Sequence, residues 1–310
     1  MRSPPIAALV GPTASGKTEL ALAMARTVPL EILIADSRQV YRGMNAATAK
    51  ADATARAAVP HHLIDLATPD QAFSLADWLA AARRLIPEVA ARERLALVVG
   101  GTGLYVSALL DGYQLDATPP SPHLRHTLAE ELERVGIGSL ASRLERIDPA
   151  AAARTDLHNP RRVVRALELA GSRGGSSPVP ATEPWRGPLV IIGLRRPMIV
   201  LRRRIAERTA GFFANGLLDE VRGLLAAGYG PDLPPMSGHG YREAARHLAG
   251  GSDLDEAIAD TVRRTRQYAK RQMTWFRRDP RVVWLDAGDG PADDPIIVEL
   301  AVSLLSALSR

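Results

Sequence analysis

Residues 11–18 read Gly-Pro-Thr-Ala-Ser-Gly-Lys-Thr and match G-x-x-x-x-G-K-[ST], the spacing of a loop that wraps a chain of phosphates. In such a loop the backbone N–H groups and the N-terminus of the following helix point at the anion. Gly11, Thr13, Ala14, Ser15, Gly16, Lys17 and Thr18 are therefore the candidate phosphate-binding residues. Lys17 reaches the outer phosphate, and the Thr18 hydroxyl can hold Mg²⁺. A nucleoside-triphosphate hydrolase also needs an aspartate at the end of a neighbouring strand to organise metal and water. The run Leu95–Val99 ends instead in Gly100-Gly101-Thr102-Gly103, and Asp65 follows too short an apolar stretch for that task. The well-placed carboxylate is Asp36, which ends the run 31–36 and precedes Ser37, Arg38 and Gln39. Beside a bound diphosphate, with no water-organising partner, such an aspartate suits a general base better than a hydrolase part. The alternative is an Asx turn that closes the strand.

These groups need elements to hold them. Ile6–Val10 is a short apolar run feeding the phosphate loop, followed by a helical face at Leu20, Ala21 and Met24. Further strands are expected at 31–36, 95–100, 189–194 and 282–285. A helix is expected from Ser74, as N-cap, towards Arg94, with Pro87 kinking or splitting it. The alternation of strand, loop and helix predicts an α/β fold, a doubly wound parallel sheet built around the P-loop. In that architecture ligands sit at the carboxyl ends of strands, so Asp36 and Thr102 should both face the loop. From about residue 115 only helical patterns continue. The clearest is 159–171, with Asn159 as N-cap, Pro160 in the first turn and Gly171 just past the end. A Gly/Ser/Pro-rich stretch at 171–185 reads as a flexible connection. The expected organisation is a catalytic core at 1–114, a helical insertion domain at 115–185, and a second part of the core at 186–310.

The sequence has 310 residues, 46% of them apolar, enough to bury a full core. It has no cysteine, which excludes disulfides and thiolate metal sites and fits a reducing cytoplasm. No apolar run approaches the ~20 residues of a membrane span, and the apolar run at the N-terminus is too short for a signal peptide. The net charge of +5 favours a polyanionic partner. Arginine preference is the plainer explanation of that charge, because only Lys17, Lys50 and Lys270 among 39 basic residues are lysine. Position says more: residues 263–278 carry seven basic side chains and no acid. On a helix Arg263, Gln267, Lys270, Thr274 and Arg277 share one face, while Val262, Thr265, Ala269, Met273 and Phe276 share another. That is a docked helix offering a basic stripe to phosphates.

Taken together, GPTASGKT (11–18), ADSRQVYRGM (35–44), ATAK (47–50), PHHLID (60–65), VGGTGLY (99–105), RALE (165–168) and RRTRQYAKRQMTWFRR (263–278) closely resemble the tRNA dimethylallyltransferases. The matches occur in the family's order and span nearly the whole chain. The resemblance implies transfer of a dimethylallyl group from dimethylallyl diphosphate to the exocyclic amine of the tRNA adenine 3′-adjacent to the anticodon. The loop would then hold a diphosphate leaving group. Asp36 is implied as the base, and Lys17, Thr102 and Arg208 as the remaining catalytic groups, with Mg²⁺ on Thr18. Without the resemblance, Arg208 reads equally as a solvated helix-face arginine, and Thr102 as an N-cap. The implied tRNA contacts are Ser37, Arg38, Gln39, Thr102, Arg125, Arg161, Arg162, Arg165, Gly240, Tyr241, Arg242, Arg263, Arg266, Gln267, Lys270 and Arg271. Arg162 and Arg165 also suit ion pairs facing the core. The partner would be the tRNA anticodon stem-loop, bound by a monomer whose basic faces stay free. His61 and His62 lack metal-ligand spacing and read as structural.

The chain departs from the family at Ser237-Gly-His-Gly-Tyr241, where an Ala-Ile-Gly-Tyr-like run is usual, and Gly-His-Gly predicts a looser segment. Three other readings stay open. An adenylate isopentenyltransferase shares core and donor, but has little use for a helical insertion or an acid-free basic helix. A small-molecule kinase explains neither GGTGLY nor that helix. A non-enzymatic RNA-binding module does not need Lys17 and Asp36 in one crevice.

Overall fold

The computed structural model describes residues 3–115, 122–173 and 182–309. Two compact units are present, Met1–Gly112 with Pro184–Arg310, and Tyr113–Glu183. The first unit holds six parallel strands: β1 (Ile6–Val10), β2 (Leu30–Ala35), β3 (His61–His62), β4 (Leu95–Gly100), β5 (Leu189–Arg195) and β6 (Val282–Asp286), in the order β3-β2-β4-β1-β5-β6. Strands buried on both faces need continuous apolar runs, which is what IAALV, LALVVG and LVIIGL supply. The helices of this unit begin with α1 (Lys17–Met24), α2 (Ala53–Ala58), α3 (Leu75–Ala91) and α4 (Gly103–Leu110).

The second unit carries α5 (Pro122–Ile147), α6 (Pro149–Arg154) and α7 (Pro160–Arg173). Helix α5 is interrupted at Gly136, where φ is +76°. Its small core joins Leu128, Leu140 and Leu144 to Ala151, Val163 and Leu167. Asn159 Oδ1 accepts the Arg162 N–H at 3.3 Å, as expected of an N-cap, but α7 runs through Gly171 to Arg173 instead of stopping before it. The flexible connection expected at 171–185 falls largely on residues outside those described.

The first unit resumes with α8 (Met198–Ala214), α9 (Leu217–Ala226), α10 (Tyr241–Leu248), α11 (Leu254–Phe276) and α12 (Pro295–Leu305). One face of the sheet buries Ala7, Leu9, Ile32, Ile34, Leu97 and Val99 against Leu20 and Met24 of α1 and Ala301 and Leu305 of α12. Ser74 caps α3 in a reciprocal capping box with Asp77. Pro87 neither splits nor stops α3. It lies on the exposed side, where the carbonyl it leaves unpaired can face water.

One charge sits inside β2. Glu31 is 3% exposed and accepts from Arg92 Nε and Nη2 at 2.9 and 2.7 Å, with His62 Nε2 at 2.6 Å. His62 thus has the structural role its sequence context suggests. Hydrogen bonding from Arg92, opposed by burial and helped by His62, pulls the Glu31 pKa down to about 2. A depressed carboxylate pKa stabilises the fold above the ordinary value of 4.5, and that stability is lost as pH falls towards 2. Glu31→Gln should therefore cost roughly 3 kcal/mol at pH 7, with the difference from wild type shrinking below pH ~4.5 and closing as pH approaches 2. Thermal unfolding of both proteins across pH measures it.

Candidate active site

The register sets the site. Val10 pairs with Gly100 and Gly193, and Ala35 with Gly100, so β1, β2 and β4 end at one level, and β5 runs two residues past it to Arg195. What leaves that edge is Gly11 of the phosphate loop, Asp36, and the Gly101–Thr102 turn. Strand β2 ends at Ala35, one residue before the expected end, which leaves Asp36 as the first residue past it.

The loop is gripped from its flank by three arginines. Arg196 Nε donates to Ser15 O at 2.7 Å, Arg204 Nε to Ala14 O at 3.1 Å, and Arg208 Nη2 to the Thr13 hydroxyl. Arg204 and Arg208 are one turn apart on α8, so a single helix face follows consecutive residues of the loop. Arg208 is therefore not a solvated arginine. Its Nε is buried with no partner among the described residues, as are Ser15 Oγ and Arg196 Nη2. Lys17 Nζ donates to Gly11 O at 3.0 Å and Pro12 O at 2.8 Å. Burial, then the Arg208 charge, pull the Lys17 pKa down to about 7, against the opposing pull of Asp36. Burial pulls Arg208 down to about 10, with Asp36 opposing and Arg204 assisting. Burial disfavours both cations, and the Arg208 charge disfavours charged Lys17 further, which suits the site to an anion.

Asp36 is half-buried, and its Oδ1 accepts the N–H groups of Arg38 at 2.8 Å and Gln39 at 3.3 Å. The Asx turn is thus present, and it leaves Oδ2 without a partner among the described residues. Thr102 makes no side-chain cap to α4. Its Oγ1 accepts the Ser37 N–H at 3.3 Å instead, joining the Asp36 turn to the Gly101–Thr102 turn. Asp65 is held by Lys50 at 2.7 Å and Arg56 at 3.1 Å, so it organises no metal on this edge. A cavity of about 650 Å³ runs past Thr13, Lys17, Thr18, Asp36, Arg208 and Tyr268. Among the described residues no three His, Asp or Glu side chains cluster as a metal site. Mg²⁺ still fits Thr18, because this ion commonly takes few protein ligands and completes its shell with phosphate oxygens and water.

The profile of the IPP transferase family matches residues 39–279. The tRNA dimethylallyltransferase of Roseiflexus sp. (strain RS-1) is 47% identical over 284 residues, 91% of this chain and 93% of that protein. The chain belongs to this family. A second relative of the same name, from Roseiflexus castenholzii, is 44% identical over 97% of both chains. The crystal structure of the full-length tRNA isopentenylpyrophosphate transferase from Bacillus halodurans superposes with a TM-score of 0.73 at 39% identity, over 98% of this chain and 97% of that one. The fold is therefore the P-loop α/β fold of the tRNA isopentenyltransferases. Among the described residues no helix is long and apolar enough to cross a membrane.

Helix α11 of this family member carries the basic segment. Thr265, Ala269, Met273 and Phe276 are buried on one side, while Arg263, Gln267, Lys270, Thr274 and Arg277 are exposed on the other. The stripe is not uniformly free. Asp260, one turn earlier, pairs with Arg263 at 2.7 Å and Arg246 at 2.9 Å, and Arg266 Nη2 donates to Arg202 O. The side chains of Lys270, Arg277 and Arg278 have no hydrogen-bond or ion-pair partner among the described residues. The Arg271 guanidinium lies 5.8 Å from the centre of the Tyr268 ring.

Several expected tRNA contacts are engaged within the protein. Tyr241 is 1% exposed and donates its hydroxyl to Glu220, which also receives the Asn45 and Ala46 N–H groups. Gly240 is buried at φ +91°, and a Cβ there would meet Ala47 at 2.8 Å. The Gly-His-Gly run is therefore a packed joint and not a loose one, with His239 5.3 Å from the Tyr268 ring. Arg38 donates to Pro234 O at 2.6 Å and Ser237 Oγ at 3.1 Å, which ties it to this joint. In the second unit Arg125 and Arg165 both hold buried Glu168, at 2.6 and 3.1 Å, as ion pairs of that small core. Arg161 and Arg162 are exposed there, and Arg242 is exposed on α10.

Sequence reading missed Arg196, Arg204, Tyr268 and Gln272. Arg204 could have been found as the residue one turn before Arg208. Gln272 could have been found as the amide among the small and apolar residues of the α11 buried strip. Nothing local marks Arg196. Tyr268 is neighboured by Asp36, Thr102 and Gln272, and burial pushes its pKa up to about 12, so it stays a neutral hydroxyl.

Proposed function

We propose that the protein transfers a dimethylallyl group from dimethylallyl diphosphate to the exocyclic amine of the adenine 3′-adjacent to the tRNA anticodon. The observation that carries this reading is the unpartnered Oδ2 of Asp36 sharing one cavity with Lys17, Arg208 and the phosphate loop, on a sheet edge without a water-organising acid. That amine is a weak nucleophile because its lone pair is delocalised into the ring. As nitrogen bonds to the allylic carbon, the bond from that carbon to the diphosphate oxygen breaks and its electrons leave with diphosphate. Asp36 takes the proton, help worth ~10²–10⁴-fold. Lys17, Arg208 and the loop amides meet the charge growing on the leaving group, usually the largest single contribution. Thr18 would hold Mg²⁺, which supplies further charge neutralisation at the diphosphate when bound. Thr102, tied to the Asp36 turn, would contact the leaving group or the target nucleotide.

A base folded into an anticodon loop must be extruded to reach Asp36. Ser37 and Gln39 lie beside that position and would meet its neighbours. The anticodon stem-loop would lie along Lys270, Arg271, Gln267, Arg277 and Arg278, with Arg242 as a further phosphate contact. The same reading makes the protein a cytoplasmic monomer, since its basic face is needed by RNA. Replacing Lys270, Arg277 and Arg278 together by alanine should flatten the salt dependence of stem-loop binding by about two to three units of slope. Binding titrations from low to moderate salt read this directly.

The test of function is transfer of labelled dimethylallyl diphosphate to unmodified tRNA, run beside AMP and with a chelated control. Label in tRNA alone supports the reading. Label in AMP alone moves the protein to the free-nucleotide enzymes, and activity that survives full chelation removes Mg²⁺ from it.

A further inference from the structure

Gln272 lies on the buried strip of α11 and is 5% exposed. Its Oε1 accepts the Thr13 N–H at 2.8 Å, and its Nε2 donates to Gly101 O at 2.9 Å. The partners settle the orientation of the amide, because a backbone N–H only donates and a carbonyl only accepts. Gly101 makes the approach possible, since a Cβ there would sit 2.0 Å from Gln272 Nε2. Thr13, the loop residue held by Gln272, is also held through its hydroxyl by Arg208. One side chain therefore spans from the phosphate loop to the turn that carries Thr102, and Thr102 in turn accepts from the residue after Asp36.

We infer that Gln272 is a positioning residue of the transfer reaction, one that sets the gap between the loop holding the diphosphate and the Gly101–Thr102 turn facing Asp36. This rests on the function proposed above. The leaving group is fixed by the loop, and the acceptor amine by the Asp36 side of the cavity. The distance from allylic carbon to amine therefore depends on how loop and turn are spaced. Adjacent strands β1 and β4 fix that spacing up to Val10 and Gly100. Past the strand ends the direct side-chain tie is Gln272, and a misplacement of about 1 Å can cost on the order of 10²-fold in rate. Gln272 borders the cavity, but both ends of its amide are committed to backbone groups of Thr13 and Gly101, and it acts through them.

Two substitutions test this. Gln272→Met keeps length and volume but makes neither bond. Gln272→Glu keeps the acceptor for Thr13 N, and its protonated form also restores the donor to Gly101 O. We would measure kcat and both KM values for labelled transfer to unmodified tRNA between pH 6 and 8.5, with thermal unfolding in parallel. Gln272→Met should lose about 10²-fold in kcat while the KM for tRNA stays within about threefold. At this buried position desolvation raises the carboxyl pKa of Gln272→Glu towards the assay range, so its activity relative to wild type should rise roughly tenfold as pH falls and the acid form fills. A merely structural glutamine predicts no such pH-dependent rescue in a protein that is folded at both ends of the range. Wild-type kcat in Gln272→Met, or a flat Gln272→Glu ratio across pH, would overturn the inference while leaving the function intact. Absence of transfer by the wild-type protein would overturn both.

Discussion

Asp36→Asn should lower kcat for tRNA prenylation by about 10³-fold while leaving donor affinity within about threefold. The substitution separates the two roles of this residue. Asparagine keeps an Oδ1 that can accept from Arg38 N and Gln39 N, so the Asx turn after β2 survives. It removes the second carboxylate oxygen as a proton acceptor. Single-turnover transfer, with calorimetric titration of the donor as control, reads the two effects separately. A kcat within tenfold of wild type would reduce Asp36 to the turn alone and require another base. Asp36→Ala would be the poorer probe, because it breaks the turn and shifts Ser37, whose N–H reaches Thr102.

The second large effect is expected at Lys17. Its pKa, about 7 against an ordinary 10.5, is depressed first by burial and then by Arg208. A bound diphosphate favours the charged form and raises the pKa again. The sign follows. Below pH ~7 Lys17 is charged in free and bound protein, and affinity owes no pH dependence to it. Above pH ~7 the free protein holds a neutral lysine, binding takes up a proton, and affinity falls up to tenfold per pH unit. Calorimetry at pH 8.5 in buffers of different ionisation enthalpy should show uptake approaching one proton in wild type and none from this site in Lys17→Met. Comparing the two proteins cancels the ionisation of the diphosphate itself. Lys17→Met should also lose roughly 10²–10³-fold in donor affinity at pH 7, the scale of an unpaired buried charge interaction. Equal proton uptake in both proteins would show that Lys17 is already charged in the free site.

Much of this was legible along the chain. IAALV, LEILIA, LALVVG and LVIIGL announce buried parallel strands because both faces of such strands must be apolar. GPTASGKT announces its loop because residue type alone shapes so tight a backbone. The lack of an acid after β4 was equally plain and turned the reading away from hydrolysis, while transfer itself came from the family resemblance. The two-residue strand β3 was not legible, being too short to carry any period.

Tertiary structure alone decided which polar side chains serve the site. Nothing in the spacing of 36 arginines separates Arg196, Arg204 and Arg208, which grip the loop, from Arg125 and Arg165, which neutralise Glu168. Tyr241 reads as a surface contact until the fold buries it over Glu220. Gln272 reaches Thr13 across 259 positions of chain and Gly101 across 171. Periodicity and capping are rules about neighbours a few residues apart, so they define strands, helices and turns. A hydrogen bond between residues hundreds of positions apart depends on how whole elements pack, and only the packed sheet edge brings those groups within 3 Å of one another.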